Sequence, residues 1–302
     1  MRRPYIDFMG NRKWLFLASG IVLTVAIISL ATKGLTLGYE FKGGTKITLT
    51  NAATATLPQV RDAVAQAKIV DASVQTITGG FIVRSTEPSA AVASAQAAAV
   101  GKTLNIPETN TQVSTIGPEW GANITNAAML ALAVSLIAIL AYVSIRFEYK
   151  MAVTGVIALF HDALITLGLY ALLGREVTPN TVAALLTILG YSLYDTIVVC
   201  HRIRENTANL TKKTFMSMAN DSLNQVLARW INTGLSSLIP VLCLLIFGQD
   251  TLKDFAFALT IGLISGAYSS VGVASPLYAM WKEREPRFKA LAKKYAASSG
   301  RT

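Results

Sequence analysis

The sequence has 302 residues, of which 52% are hydrophobic and 15% are charged, and its formal net charge is +10. Soluble domains carry about 25% charged residues, so this composition excludes an ordinary soluble protein and indicates that much of the chain faces lipid. A basic balance is typical of proteins that contact nucleic acid or a membrane surface.

Six apolar runs are long enough to cross a bilayer, for which about 20 mostly apolar residues are needed. We predict transmembrane helices at 14–32, 127–145, 151–173, 181–200, 230–247 and 255–280. The predicted class is therefore an α-helical polytopic membrane protein. Its parts are a leading segment (1–13), the first span (14–32), an outer domain (33–126), a helix bundle (127–280) and a tail (281–302).

The distribution of basic residues predicts the orientation. Lysine and arginine are abundant in the leading segment, in the links between spans two and three and between spans four and five, and in the tail. The short links on the other side hold only Arg175 and Lys253. The positive-inside rule therefore predicts cytoplasmic N and C termini. The positive charge is explained by topology, which argues against a nucleic-acid partner.

The first span has one alternative interpretation. Its basic start and apolar run resemble a signal peptide with a cleavage site near Ala31. The run is longer than the apolar part of a typical signal peptide, which favours an uncleaved anchor.

The segment between spans one and two is polar and long enough for one small domain. Its pattern predicts strands at 45–50, 73–78, 81–85 and 111–116, and helices at 57–68 and 89–101. Thr56, Pro58 and Gln59 are a helix-start signal, and Gly79–Gly80 predicts a hairpin turn. The order βαββαβ predicts a ferredoxin-like α+β domain. This predicted domain contains no nucleophile–base pair. Elsewhere in the chain, in the predicted bundle, Cys200 and Cys243 are isolated and do not have the spacing of a metal site.

Four stretches resemble the SecF family. They are LGYEFKGGT at 37–45, VAALLTILGYSLYDTIVV at 182–199 followed by RIRE at 202–205, SLNQ at 222–225 with Arg229, and the run 254–276 that begins DFA and ends ASP. The family usually has Asp where this chain has Glu40, Asn at Tyr194, and Asp at His201. The resemblance covers most of the chain from the fourth span onward, together with the start of the outer domain.

The resemblance implies a function. SecF pairs with SecD, a homologous six-span protein, and together they resemble resistance–nodulation–division transporters. The pair assists the SecYEG translocon in the bacterial inner membrane and uses the proton-motive force to help pull preproteins out. The expected partners are therefore SecD, SecYEG, a preprotein and membrane lipid. Protons are the expected coupling ion, and we expect no other cofactor, no bound metal, no nucleic acid and no enzymatic activity.

Asp195 is the strongest candidate functional residue, because a charged side chain inside a span costs about 2.5 to 3.5 kcal/mol on insertion scales. Thr187 and Tyr191 precede it at helical spacing, and Ser192 lies beside them, which predicts a polar track. The alternative is a structural hydrogen bond between helices. The match to the family favours a proton role.

Three further residues are candidates for the proton relay. Arg229, at the start of the fifth span, could neutralise Asp195, since a nearby cation favours the ionised carboxylate and burial disfavours it. It could also be a topogenic, snorkelling arginine. His161 and Asp162 lie within the third span and point about 100° apart, so at least one is expected to face the bundle interior, either as a relay or as a structural bond.

Two glycine-containing motifs are interpreted structurally. Gly262, Gly266, Ser270 and Ala274 recur every four residues, a pattern that lets helices pack closely, and the partner helix is either in this chain or in SecD. Glu40, Phe41, Gly43 and Gly44 follow the first span and predict a structural junction between membrane and outer domain.

Three rival functions were compared. A small-molecule efflux transporter usually has two large outer domains and two six-span halves. An intramembrane aspartyl protease would need a Gly-x-Gly-Asp motif, which is missing, as are the zinc-protease and nucleophile-elbow motifs. The third is a passive scaffold for SecD without a proton role, which predicts that Asp195→Asn is tolerated.

Overall fold

The computed structural model describes residues 5–52, 55–77, 79–211, 213–248 and 250–296. Residues 1–4 of the predicted leading segment, residues 297–302 of the predicted tail, and Thr78 of the second predicted strand (73–78) lie outside these residues. By its internal contacts the chain divides into two units, one of residues 36–132 and 176–179, and one of residues 1–35, 133–175 and 180–302.

Among the described residues, six helices are long and apolar enough to cross a membrane, as predicted, which is consistent with a multi-pass membrane protein. They are α1 (Arg12–Lys33), α5 (Pro118–Arg146), α6 (Tyr149–Leu173), α7 (Pro179–Ala208), α8 (Phe215–Phe247) and a sixth span, Leu252–Glu283. The sixth span joins α9 (Asp250–Ser269), a π-helical turn (Ser270–Ala274) and α10 (Ser275–Glu283). A further helix, α11 (Pro286–Ala296), follows.

Helix α8 begins fifteen residues before the predicted start of its span. Its first part is amphipathic and therefore contains no continuous apolar run. Two apolar residues in this part, Phe215 and Leu223, are nevertheless almost fully buried. Asn220 binds the leading segment, because its Oδ1 accepts the backbone N–H groups of Phe8 and Met9 at 2.8 and 3.1 Å. Tertiary contacts therefore extend the helix beyond its apolar part.

The smaller unit holds a four-stranded antiparallel sheet of β2 (Gly44–Thr50), β3 (Ser73–Ile77), β4 (Gly80–Ser85) and β5 (Thr111–Ile116), in the order β3-β4-β2-β5. Helices α3 (Leu57–Gln66) and α4 (Ala90–Thr103) supply the rest of its core. Short elements complete it: β1 (Thr36–Leu37), α2 (Tyr39–Lys42) and β6 (Glu176–Val177), with β1 and β6 parallel.

Local sequence signals set most of these elements. The Thr56 N–H donates to Gln59 Oε1 at 2.8 Å, as the helix-start signal predicted. The predicted Gly79–Gly80 turn is wrong by one residue, because Gly80 already pairs with Thr50 and Ile77 as the first residue of β4. A Cβ at Gly80 would lie 1.8 Å from the Leu49 carbonyl oxygen, so this glycine is needed for the close approach of two strands.

Candidate functional site

The polar centre of the larger unit is the carboxylate of Asp162, which is fully buried in α6. Its Oδ1 accepts a hydrogen bond from the Ser265 hydroxyl at 2.6 Å, and its Oδ2 accepts bonds from the hydroxyls of Ser192 at 2.6 Å and Ser269 at 2.8 Å. His161 Nδ1 lies 3.1 Å from Oδ1. Three hydroxyl donors and one imidazole nitrogen, from α6, α7 and α9, thus surround one carboxylate.

The histidine extends this network to α1. His161 Nε2 lies 2.5 Å from the Ser19 hydroxyl. If Nδ1–H donates a hydrogen bond to Asp162, Nε2 of the neutral ring accepts a hydrogen bond from the Ser19 hydroxyl. The Tyr268 ring stacks on His161 with centroids 6.3 Å apart, and its hydroxyl donates to the Leu15 carbonyl at 2.5 Å. The two adjacent side chains were expected to point about 100° apart, with at least one in the bundle interior, and both His161 and Asp162 are buried.

The small-residue ladder of the sixth span packs against α7 of the same chain. A Cβ at Gly262 would lie 2.1 Å from Ile188, and one at Gly266 would lie 3.0 Å from Ser192 Cβ. The next member, Ser270, shares a 2.9 Å hydrogen bond with Thr196. The contacts step along both helices at intervals of four, as close helix packing requires. Ala274, the last member of the ladder, is fully buried at the end of the π-helical turn.

Asp195 has a different environment from Asp162. The residue is 5% exposed, and its Oδ2 is buried without a hydrogen-bond donor among the described residues. Tyr191, one turn earlier, is half-buried. A carboxylate in an apolar span without donors is costly to keep ionised, because burial in a medium of low dielectric disfavours the charge.

The structure does not place the whole predicted track in the interior. Thr187 is exposed, and its hydroxyl donates to the Ala183 carbonyl of its own helix at 2.9 Å. A step of four residues rotates about 40° on an α-helix, so Thr187 and Asp195 differ by about 80°. This drift leaves Thr187 on the exposed side of α7, while Ser192 faces Asp162.

The predicted counter-charge is not paired in this structure. Arg229 is exposed on α8, and the contacts of the described residues include no ion pair between it and Asp195. The basic side chains near the ends of α6 and α10 do pair: Lys282 contacts Glu148 and Glu285, and Lys150 contacts Glu285 at 2.8 Å.

The predicted junction packs on the start of α5. Phe41 is buried, and its carbonyl lies 3.4 Å from the Thr125 hydroxyl. Gly43 and Gly44 have φ values of +77° and +134°, which side chains rarely adopt. A Cβ at Gly44 would lie 2.3 Å from the Ser85 carbonyl oxygen. Glu40, in the short helix α2, is half-buried.

Sequence reasoning missed four members of the Asp162 network: Ser19, Ser265, Ser269 and Tyr268. The signal for two of them was present, since Ser265 and Ser269 are spaced by one helical turn within an apolar span. Among the described residues there is no group of three or more His, Cys, Asp or Glu that could hold a metal ion.

Comparison with known proteins identifies the family. The model of the C-terminal region of the protein export membrane proteins SecD and SecF matches residues 96–284. The chain belongs to the SecD/SecF family. The protein translocase subunit SecF of Streptomyces coelicolor is 39% identical over 96% of this chain and 80% of its own length. That of Calditerrivibrio nitroreducens is 38% identical over 93% of this chain and 96% of its own length.

Solved structures of SecDF share the fold of this family member. The crystal structure of SecDF from Thermus thermophilus, described as a translocon-associated membrane protein, has a TM-score of 0.86 and 33% identity over 93% of this chain. SecDF in its super-membrane-facing form has a TM-score of 0.70 and 32% identity over 95%. This chain spans only 39% and 40% of those two chains.

Proposed function

We propose that this chain is a SecF subunit that pairs with SecD, assists SecYEG in moving preproteins across the bacterial inner membrane, and couples this work to the proton-motive force. Relatives named protein translocase subunit SecF, and SecDF structures of which this chain matches about two fifths, support the partner and the process. The basic links and tail support cytoplasmic termini. The antiparallel order β3-β4-β2-β5 supports a ferredoxin-like fold for the outer domain. The same distribution of basic residues supports a periplasmic location for that domain.

The observation that carries the proton role is the contrast between the two buried aspartates. Asp162 accepts hydrogen bonds from three serine hydroxyls and lies 3.1 Å from His161 Nδ1, whereas Asp195 Oδ2 has no donor among the described residues. The Asp162 carboxylate is therefore held in place by hydrogen bonds from two neighbouring helices. The Asp195 carboxylate gains most from taking up a proton, because protonation removes an uncompensated buried charge.

Because of this contrast, we assign fewer residues to the proton relay than the sequence predicted. In our proposal the proton is carried by Asp195, next to the polar Tyr191, at the surface where the chain meets SecD. His161, Asp162 and Ser192 hold the helices instead of moving protons. Thr187 is left out of the relay, since its hydroxyl is used within its own helix.

Arg229 acts as the counter-charge in one state of the cycle. It is unpaired with Asp195 here, so the proposal requires another state in which the two side chains come within ion-pair distance. The return of a proton to Asp195 then releases Arg229 and shifts α7 against α8. One charge crossing 100 mV releases about 2.3 kcal/mol, which is enough to shift helices between two packings. The Gly43–Gly44 segment would pass the movement to the outer domain.

The test is preprotein translocation into sealed inverted vesicles with an imposed proton gradient, at matched amounts of SecD and of this chain. We expect Asp195→Asn to assemble with SecD and to lose the gradient-dependent increment. Asp195→Glu is the matched control, since it keeps a protonatable group at the site. An Asp195→Asn variant that keeps the full increment would favour the passive scaffold and contradict the proton role.

The other rivals have less support. An efflux transporter predicts a drug-resistance phenotype that depends on this chain. A protease predicts that Asp162 and Asp195 face each other, whereas Asp162 is bonded to three serines and His161. We propose that the chain has no enzymatic activity and needs no cofactor other than the coupling proton.

A further inference from the structure

Helix α11 presents a face that is basic and free of acidic residues. Its two sides are clearly separated by burial. Phe288 is 3% exposed and packs on Phe215 with ring centroids 4.8 Å apart, and Leu291 packs against the same core. The opposite side carries four exposed basic side chains: Arg287, Lys289, Lys293 and Lys294. The helix contains no Asp or Glu.

Nearby acidic groups do not neutralise this face. Glu285 is occupied by Lys150 and Lys282, and Glu283 accepts the backbone N–H of Met216 at 3.4 Å. None of the four exposed cations forms an ion pair with a described residue. Arg284, just before the helix, is also exposed. The positive charge is thus concentrated and not matched by carboxylates, unlike that of Lys150, Lys282 and Lys213, which all form ion pairs.

The position of α11 beside the sixth span indicates what kind of partner its basic face would bind. The sixth span ends at Glu283 and α11 begins at Pro286, so only two residues separate them. Two residues reach at most about 7 to 11 Å, which keeps the start of α11 within roughly one Debye length, about 8 to 10 Å, of the end of the sixth span. Clusters of four or more basic residues beside a span attract anionic lipid head groups.

We infer that the exposed face of α11 is a binding surface for anionic phospholipid head groups of the leaflet in which the sixth span ends. The buried side fixes the helix to the bundle, so the four cations are presented to the head groups together. The surface would hold the ends of α8 and α10 at the membrane plane. This role is separate from proton coupling and does not depend on it.

The test uses the purified full chain in a neutral detergent, with native mass spectrometry to count bound lipids. The probes are phosphatidylglycerol and phosphatidylcholine of equal chain length. We expect the wild type to retain phosphatidylglycerol in preference, and the fourfold variant R287Q/K289Q/K293Q/K294Q to bind it about tenfold more weakly or worse. Phosphatidylcholine binding should not change.

Two controls make the result specific. The variant R287K/K289R/K293R/K294R keeps every charge and should bind phosphatidylglycerol like the wild type. The variant K42Q/R61Q/K68Q/K102Q removes four exposed charges from the smaller unit and should also bind normally. Unchanged phosphatidylglycerol preference in the α11 glutamine variant would overturn the inference. So would equal weakening in the second control, because the effect would then follow net charge alone.

Discussion

Replacing Asp162 by alanine is expected to destabilise the helix bundle, whereas replacing Asp195 by asparagine should leave its stability unchanged or increase it. Asp162 makes four hydrogen bonds to α6, α7 and α9. Hydrogen bonds between membrane helices contribute about 0.6 kcal/mol on average and up to about 1.7 kcal/mol. Three of the four contacts join α6 to α7 or α9, so their loss predicts a decrease of about 2 to 5 kcal/mol in the free energy of unfolding.

The opposite expectation for Asp195 follows from its missing donors. Asparagine has nearly the same shape as aspartate and removes a buried charge that Oδ2 cannot share with any described donor. The Asp195→Asn variant therefore avoids the free-energy penalty of burying that charge. Asp162→Asn is the matched control, and it should fall between the two, because an amide keeps some of the four contacts but loses their charge-assisted strength.

The assay is reversible unfolding of the purified chain in mixed micelles with increasing dodecyl sulfate, followed by far-ultraviolet circular dichroism. Each variant gives a free energy of unfolding relative to the wild type. The reasoning fails if Asp162→Ala unfolds within about 0.5 kcal/mol of the wild type, since the four contacts would then carry no net stability. It also fails if Asp195→Asn is the more destabilised of the two.

Two further predictions concern packing and pH. Gly262→Ala should lower stability by about 1 to 3 kcal/mol, because the new methyl would lie 2.1 Å from Ile188, and Ile188→Ala should partly rescue it; Gly190→Ala, with open space around it, should be neutral or slightly stabilising in the same unfolding assay. Burial raises the pKa of Glu285, but the hydrogen bonds from Lys150 and Lys282 outweigh this and hold its pKa below the ordinary 4.5. Its contribution to stability is therefore present at neutral pH and lost as the pH falls below about 4.5 through the folded-state pKa. The melting temperatures of wild type and Glu285→Gln, measured from pH 7 to pH 3, should converge at the acid end, and a constant difference would contradict the assignment.

The sequence by itself determined the six spans found among the described residues, and the four sheet strands and two long helices of the smaller unit. Apolar runs of bilayer length predict helices irrespective of their neighbours, since every backbone group in lipid must be bonded internally. Thr56 and Gln59 start α3 through local contacts, and the strand predicted at 111–116 coincides with β5. These features depend on residues close in the chain, which is why periodicity and caps reveal them.

Only the tertiary structure decided how the polar residues are distributed among environments. Three helices that are far apart in the sequence contribute Ser19, Ser192 and Ser269 to one His–Asp pair. The local sequence around each serine does not predict that they meet there. Likewise, the rotation of α7 buries Asp195 and exposes Thr187, although both belong to one apparent stripe. The pairing of carboxylates with donors depends on the rotation and packing of whole helices, and the periodicity of a single helix does not contain that information.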